Sequence, residues 1–516
     1  MSDSIFDWSD EITNWSILGS KHIECITADK FNRACYAKFL TNYLSAGGEN
    51  RSFVLNLNAE WGAGKTWFIK RWYHSVKNTY PSVYIDAWQQ DFSNDPLLAV
   101  VSSIIDQLKN ISGDLPNIRP EFSQKIFKLL KSTSKIVAKS ALKSVHIDID
   151  GIDLSISDDD VSDIVDTLCT SHKEQYDAIQ EIKKDIYEWI HSCRGKKQLI
   201  FPAFIFIDEL DRCRPSYAVE MLETIKHIFD IPGIVFVVAT DTEQLQHAIK
   251  AIYGENFDAR SYLSRFFRRR FSLHSISRFD FVEDKVQSQP YTLPLDGYWP
   301  TTGQTEKIPS QLIEIIAVTS DILDLSLRQT EQLIDQVTAI ILNNIEPSFK
   351  INLVLLTFLC AVHEKHHDVY LNIMNNKPTV DLNGVPVDIG SWLNQFKTKD
   401  ISIYLQPMKT IGREIFEHYD YSNFHGIRIT VTNPFLDSEY KVNYGKLITA
   451  LISFYQTPPN PSSLHTDIYR FASASLSSRE SMNSGIIPKI VQYELIESHH
   501  FIYLYRNLVE LATSFD

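Results

Sequence analysis

"AEWGAGKTW", residues 59–67, decides how the rest of the chain reads. It lies between an apolar strand-like run, "FVLNLN" (53–58), and a helical stretch, "TWFIKRWYHSV" (66–76). Glycines let backbone N–H groups turn inward and approach an anion closely. A lysine followed by a threonine adds a mobile cation and a hydroxyl that can ligate a hard metal ion. A helix N-terminus at the same place favours negative charge. The stretch Trp61, Gly62, Ala63, Gly64, Lys65, Thr66 and Trp67 therefore reads as a phosphate-binding loop, with Lys65 reaching the β- and γ-phosphates and Thr66 on Mg²⁺. The pattern G-x-x-x-x-G-K-[ST] has glycine where this chain has Ala59. Alanine restricts the backbone there but removes no phosphate ligand.

Such a site needs a second element, an apolar strand ending in carboxylates. "FIFIDELDRC" (204–213) supplies it. Asp208 is the expected magnesium carboxylate and Glu209 the group that orients or deprotonates the attacking water. Asp211 and Arg212 follow, bracing the strand or touching a neighbouring subunit. A further apolar run, "GIVFVVAT" (233–240), leads into "DTEQL". Thr240 or Asp241 would sit beside the γ-phosphate; the alternative is a helix cap at Asp241 or Thr242. In "YLSRFFRRRFSL" (262–273), Arg265, Arg268, Arg269 and Arg270 crowd near a helix end. Arg265 is the candidate arginine finger. A polyphosphate or nucleic-acid patch and favourable charge at a helix C-terminus are the alternatives.

Four β-type runs (53–58, 83–88, 203–208 and 233–240) alternate with helical stretches, and two are almost continuously apolar. That pattern predicts an α/β fold: a parallel sheet covered by helices within roughly residues 50–275. Between the second and third runs lies a long insert. "QKIFKLLKSTSKIVAKSALK" (124–143) predicts a lysine-rich amphipathic helix. It is either a solvated face over a packed one or a surface for peripheral membrane or partner contact. "VHIDIDGIDLSIS" (145–157) predicts a hairpin turning at Asp150-Gly151. After residue 275 the pattern becomes mainly helical, with "SQLIEIIAVTSDILDLSLRQTEQLIDQVTAIIL" (310–342) reading as two or more helices. Strand material is expected near "TVDLNGVPVDIG" (379–390) and "HGIRITVTNPFLD" (425–437).

Totals exclude some classes. The 516 residues carry 50 Lys+Arg against 64 Asp+Glu, a net charge of -14, which disfavours a general nucleic-acid or anionic-membrane binder. The six cysteines (25, 35, 169, 193, 213, 360) show no C-x-x-C spacing and read as reduced cytoplasmic thiols. The first residues, "MSDSIFDWSDEITNW", lack the basic start and apolar core of a signal peptide. The longest apolar run, "INLVLLTFLCAV" (351–362), is too short to span a bilayer and reads as a buried helix. "HEKHH" (363–367) is formally H-E-x-x-H, a zinc peptidase pattern with His363, Glu364 and His367. No further ligand follows at the usual spacing, and a polar helix end is the plainer reading.

Taken together, these residues resemble the KAP family of P-loop NTPases. The resemblance rests on "DKFNRACYAKFL" (29–40), Trp61 to Thr66, "IDAWQQDFSNDPLLAVV" (85–101), Asp208 to Cys213 and "YGENFDARSYLSRFF" (253–267). It covers roughly residues 25–275. The kinship implies ATP, Mg²⁺ and a P-loop core with an additional strand, AAA- or STAND-like, followed by a mainly helical C-terminal region. Expected divisions are 1–275 for the NTPase domain, with 101–200 as its insert, 276–370 for a helical lid and 371–516 for a mainly helical C-terminal domain. In such lids an arginine reaches over the nucleotide, which singles out Arg328. Many relatives carry transmembrane helices between the two motifs; this chain has the lysine-rich helix and hairpin there, as a soluble branch would. Kinship further implies a homo-oligomer, partner proteins from the same operon and a place in bacterial antiviral defence. Two functions follow: an ATPase driving a conformational change, or a nucleotide-gated scaffold with little turnover.

Overall fold

The computed structural model describes residues 3–17, 23–47, 50, 52–92, 96–112, 177, 179–192, 199–228, 230–267, 269–273, 276–290, 293, 298–299, 310–343, 351–377, 379–382, 385–394, 400–405, 438–456 and 502–514. The lysine-rich stretch 124–143, the Asp150-Gly151 hairpin, Arg268 and residues 425–437 lie outside them. Two compact units divide the chain, Met1–Ser275 and Ile276–Asp516.

The first unit is built on five parallel strands: β1 (Phe53–Asn58), β2 (Ser82–Asp86), β3 (Ala203–Asp208), β4 (Ile234–Thr240) and β5 (Arg269–Ser272). Their order is β2-β3-β4-β1-β5, so β4 separates the strand before the glycine loop from the strand that ends in carboxylates. This is the additional-strand arrangement expected from the sequence. β3 and β4 are buried along their whole length, as strands covered on both faces must be. The sequence reading ran the second strand to Trp88; the strand ends at Asp86, and Ala87–Gln90 turns into a short helix capped by Asp86, which accepts from Gln89 N–H at 2.9 Å. The fifth strand escaped the reading altogether. Its residues are mostly exposed, so it shows no apolar run, and its arginines resembled a helix end.

Period-two alternation sorts the sheet side chains onto two faces. Leu55, Leu57, Tyr84, Phe204, Phe206, Val235 and Val237 face α1 (Ala34–Ser45) and α2 (Lys65–Val76). Here Trp72 lies edge-on to Phe206 at 5.2 Å and donates its indole N–H to Thr41 Oγ1 at 2.7 Å. Val54, Val83, Ile85, Ile205, Ile207, Phe236 and Val238 face the other helices, α3 (Pro96–Ser112), the stretch 179–192, α4 (Pro215–Ile228), α5 (Thr242–Tyr253) and α6 (Ala259–Ser264).

β2 is an edge strand, and α3 closes it with one side chain. Gln107 donates to the Tyr84 carbonyl at 2.7 Å and accepts from the Tyr84 N–H at 2.9 Å. The amide thus satisfies both backbone groups as a neighbouring strand would.

The second unit has its own core, which takes residues from Val282 to Ala512 and so draws on both sides of residue 370. It includes α7 (Arg278–Gln287), α8 (Ser310–Ile322), α9 (Leu327–Asn343), α10 (Leu353–Lys365), α11 (His367–Met374), α12 (Tyr444–Gln456) and α13 (Ile502–Thr513). The apolar run 351–362 begins as a two-residue strand and continues as α10, whose residues Leu353 to Val362 are all buried. Asn352 caps it, accepting from Leu355 N–H at 2.9 Å. A hairpin pairs Thr379–Leu382 with Val385–Asp388, where strand material was expected. Among the described residues no helix is long and apolar enough to cross a membrane.

Gln107→Leu strips both partners from the buried Tyr84 backbone. Chemical denaturation should show a loss of roughly 2–4 kcal/mol, and an unchanged midpoint would contradict the edge-closing role.

Candidate functional site

Parallel register brings Asn58 level with Thr240 and Asp86 level with Asp208, at the carboxyl edge of the sheet. The glycine loop leaves that edge after β1. Gly62 and Gly64 have φ of 79° and 78°, a region that L side chains rarely adopt. Ala59 is buried beneath the loop at 5% exposure, so its methyl group packs rather than obstructs. Lys65 opens α2 and is 7% exposed; its ammonium donates to the Ala59 carbonyl at 2.6 Å and the Glu60 carbonyl at 3.3 Å, with Asp211 Oδ2 at 3.8 Å.

The loop and the β3 carboxylates meet directly. Thr66 Oγ1 donates to Glu209 Oε1 at 2.6 Å, and the other oxygen of Glu209 pairs with Arg212 Nε at 2.6 Å. Glu209 itself has φ 59°, an uncommon conformation for a residue with a side chain. Asp208 is wholly buried. Its Oδ2 accepts from Tyr84 O–H and its Oδ1 from Glu209 N–H, both at 2.9 Å. Burial first, and the neighbouring Glu209 charge second, push its pKa up to about 7. Tyr84 in turn lies edge-on to Trp15 at 5.4 Å.

Asp211 has a place that sequence reasoning left open. It accepts from the Trp61 indole N–H and lies beside Lys65, all within one chain. Trp61 is 50% exposed. Trp67, grouped with the nucleotide-binding segment on sequence, instead turns to the N-terminal residues, donating to Thr27 at 3.1 Å and lying edge-on to Trp8. Trp67 is the third residue of α2, and successive residues of a helix take different sides, so its ring faces Thr27 and Trp8. Asp241 caps α5, accepting from Glu243 N–H at 3.0 Å and Gln244 N–H at 3.4 Å, which is the alternative its sequence allowed. Asn58 supports the same turn by accepting from Thr242 N–H at 2.9 Å.

The arginine cluster divides between two elements. Arg265 is exposed at the C-terminal cap of α6, while Arg269 and Arg270 are exposed on β5. Arg328 is exposed in the first turn of α9, in the second unit. The H-E-x-x-H pattern does not sit on one helix: α10 ends at Lys365, His366 has φ -137°, and His367 starts α11. His363 and His367 stack edge-on, 4.8 Å between centroids. Among the described residues no group of three His, Cys, Asp or Glu could hold a metal ion.

One residue that the sequence reading quoted without assigning a role is Arg33. It is 3% exposed and donates from Nη1 to the Ala63 carbonyl at 2.8 Å, behind the loop. The signal that could have found it is an arginine just ahead of an apolar helix and some thirty residues before the loop, but that spacing carries no chemistry alone.

The KAP family P-loop domain matches residues 33–343, more than half of the chain, and the chain belongs to that family. It has a P-loop NTPase domain, a fold that binds nucleotide. No curated protein sequence matches it. Solved structures it is similar to include C. elegans PCH-2 (12% identity, 64% of this chain and 68% of that one, TM-score 0.25). Others are AMPPCP-bound DnaA from Aquifex aeolicus (11%, 66% and 82%, 0.24) and the Aeropyrum Pernix ORC2 protein in ADPNP-ADP complexes (11%, 99% and 98%, 0.30).

The buried Asp208 makes a pH prediction. Its folded pKa lies above its unfolded value, so between about pH 4 and 7 the folded chain keeps a proton that the unfolded chain has lost. Stability therefore falls as pH rises through that window, and a cost of at most roughly 4 kcal/mol is fully present above pH 7. Asp208→Asn in magnesium-free buffer should be more stable than wild type at pH 8, with the advantage shrinking towards pH 5. Denaturation midpoints that differ by the same amount at both pH values would contradict this.

Proposed function

We propose that this member of the KAP P-loop family binds and hydrolyses ATP with Mg²⁺. The observation that carries the reading is the 2.6 Å bond from Thr66 Oγ1 to Glu209 Oε1, which unites the glycine loop with the carboxylate strand across 143 positions. Lys65 and the loop N–H groups hold the phosphate chain, and Glu209 orients the attacking water. The donor set fits magnesium. It is all oxygen, from Thr66, Asp208 and the phosphates, and Mg²⁺ needs one or two carboxylates rather than a protein cage. When bound, that ion neutralises charge on the β- and γ-oxygens. Asp208 and Thr66 would hold it, with Tyr84 fixing the Asp208 side chain from behind.

A second reading, the nucleotide-gated scaffold, is favoured by the state of Glu209. Both of its oxygens are engaged, one by Thr66 and one by Arg212. A carboxylate so tied must let go of a partner before it can take a proton from water, which slows turnover. On either reading the protein works as a homo-oligomer in which exposed Arg265 reaches the γ-phosphate of a neighbouring copy, and Arg328 serves the helical lid. Trp61, Asp241 and Arg328 complete the proposed nucleotide contacts, those of Asp241 through the α5 cap. The biological setting we propose is bacterial antiviral defence in the cytoplasm, beside partner proteins of the same operon.

Purified protein should release phosphate from ATP only with magnesium. Glu209→Gln should lower kcat by about 10²–10³-fold while ATP still binds, and Lys65→Ala should weaken binding. Equal, metal-independent rates in wild type and Glu209→Gln would overturn the ATPase reading. A mass increase with a non-hydrolysable ATP analogue, alongside negligible turnover, would select the scaffold.

A further inference from the structure

The N-terminal residues grip the helix that follows the loop. Trp8 donates its indole N–H to Ser75 Oγ at 2.7 Å, and its ring lies edge-on to Phe68. Arg71, 2% exposed, donates to the Asp10 carbonyl at 2.6 Å and to the Thr27 carbonyl through Nε at 3.1 Å. Lys70 pairs with Glu24 at 2.6 Å. The segment ends at Asp29, whose carboxylate accepts from the N–H groups of Phe31 at 3.1 Å and Ala34 at 2.7 Å and so starts α1. Arg33 stands at the cap of that helix, with its guanidinium inserted against the loop. Desolvation presses its pKa down and the Asp29 charge opposes this; a guanidinium keeps its proton under such conditions.

The contact has a direction. A trans peptide places its carbonyl oxygen and its N–H on opposite sides. The peptide linking Ala63 to Gly64 has its oxygen drawn to Arg33 Nη1 at 2.8 Å, so the Gly64 N–H points away from Arg33. Gly64 has φ 78°, and a Cβ there would stand 2.9 Å from the same nitrogen. Glycine and arginine are therefore fitted to each other: the bare backbone lets the guanidinium in, and the guanidinium fixes the peptide plane.

We propose that Arg33 is a positioning residue of the phosphate loop, which by holding the Ala63 carbonyl aims the Gly64 N–H at the phosphate chain of a nucleoside di- or triphosphate. This rests on reading the loop as the nucleotide site, and it makes phosphate affinity depend on the N-terminal segment that carries Arg33.

The test is calorimetric titration of MgADP into the full chain as wild type, Arg33→Ala and Arg33→Lys. Arg33→Ala should bind about tenfold more weakly or worse, as loss of a charged hydrogen bond implies. Millimolar guanidinium chloride should restore part of that binding without moving the thermal midpoint. Restored binding separates peptide positioning from bulk packing, and a folded Arg33→Ala that guanidinium cannot rescue overturns the proposal. So does Arg33→Ala binding within about twofold of wild type. If Arg33→Ala does not fold, Arg33→Lys decides. It keeps the charge but loses the planar fork and should bind at least about fivefold more weakly; affinity equal to wild type overturns the proposal. Wild type that takes up no MgADP defeats the underlying nucleotide reading instead, a distinguishable result.

Discussion

Parallel strands all finish at the same edge of their sheet, and everything at this site follows from that constraint. Because β1, β2, β3 and β4 run the same way, residues as remote in sequence as Asn58, Asp86, Asp208 and Thr240 emerge side by side. The strand β4 between β1 and β3 keeps the loop one strand away from the carboxylates, and the side chains of Thr66 and Glu209 bridge the interval. Antiparallel pairing anywhere among these four strands would send one of the groups to the opposite edge.

The site is also braced from outside the sheet edge. Asp208 depends on Tyr84, Tyr84 on Trp15 at its ring and on Gln107 at its backbone. The loop depends on Arg33 behind it and on Asp211 beside it. Such supports decide geometry, since a side chain in a reactive position needs its own rotamer fixed by neighbours. Burial has a second effect on Asp208, holding its proton to about pH 7. A carboxylate that resists ionisation when alone is one that a cation can stabilise strongly.

Much of the fold was legible because both-face burial leaves a plain signature. The runs at 203–208 and 233–240 are apolar at nearly every position, and with 53–58 they matched strands to within a residue. The loop was legible because glycines with a lysine and a threonine have few other uses in that context. β5 was not legible, since an exposed edge strand has no apolar face to announce it. The indole of Trp67 turns to Thr27, a placement that adjacency in sequence could not give, since it says nothing of which side of a helix a residue takes. Arg33 and Tyr84 were invisible as site residues for a further reason: each acts across a fold contact, on a carbonyl or carboxylate that no local pattern connects to it.

The two borders of the sheet differ in kind. On the β2 side Gln107 occupies the backbone groups of Tyr84. On the β5 side Arg269 and Arg270 stand exposed on the terminal strand. If two molecules approached border to border there, four guanidinium groups would be crowded together without counter-charge from the strand. Self-propagating stacking of sheets, the hazard of any open strand, is thus opposed by electrostatic repulsion, which works within a Debye length of about 8 Å at physiological ionic strength and fades in strong brine.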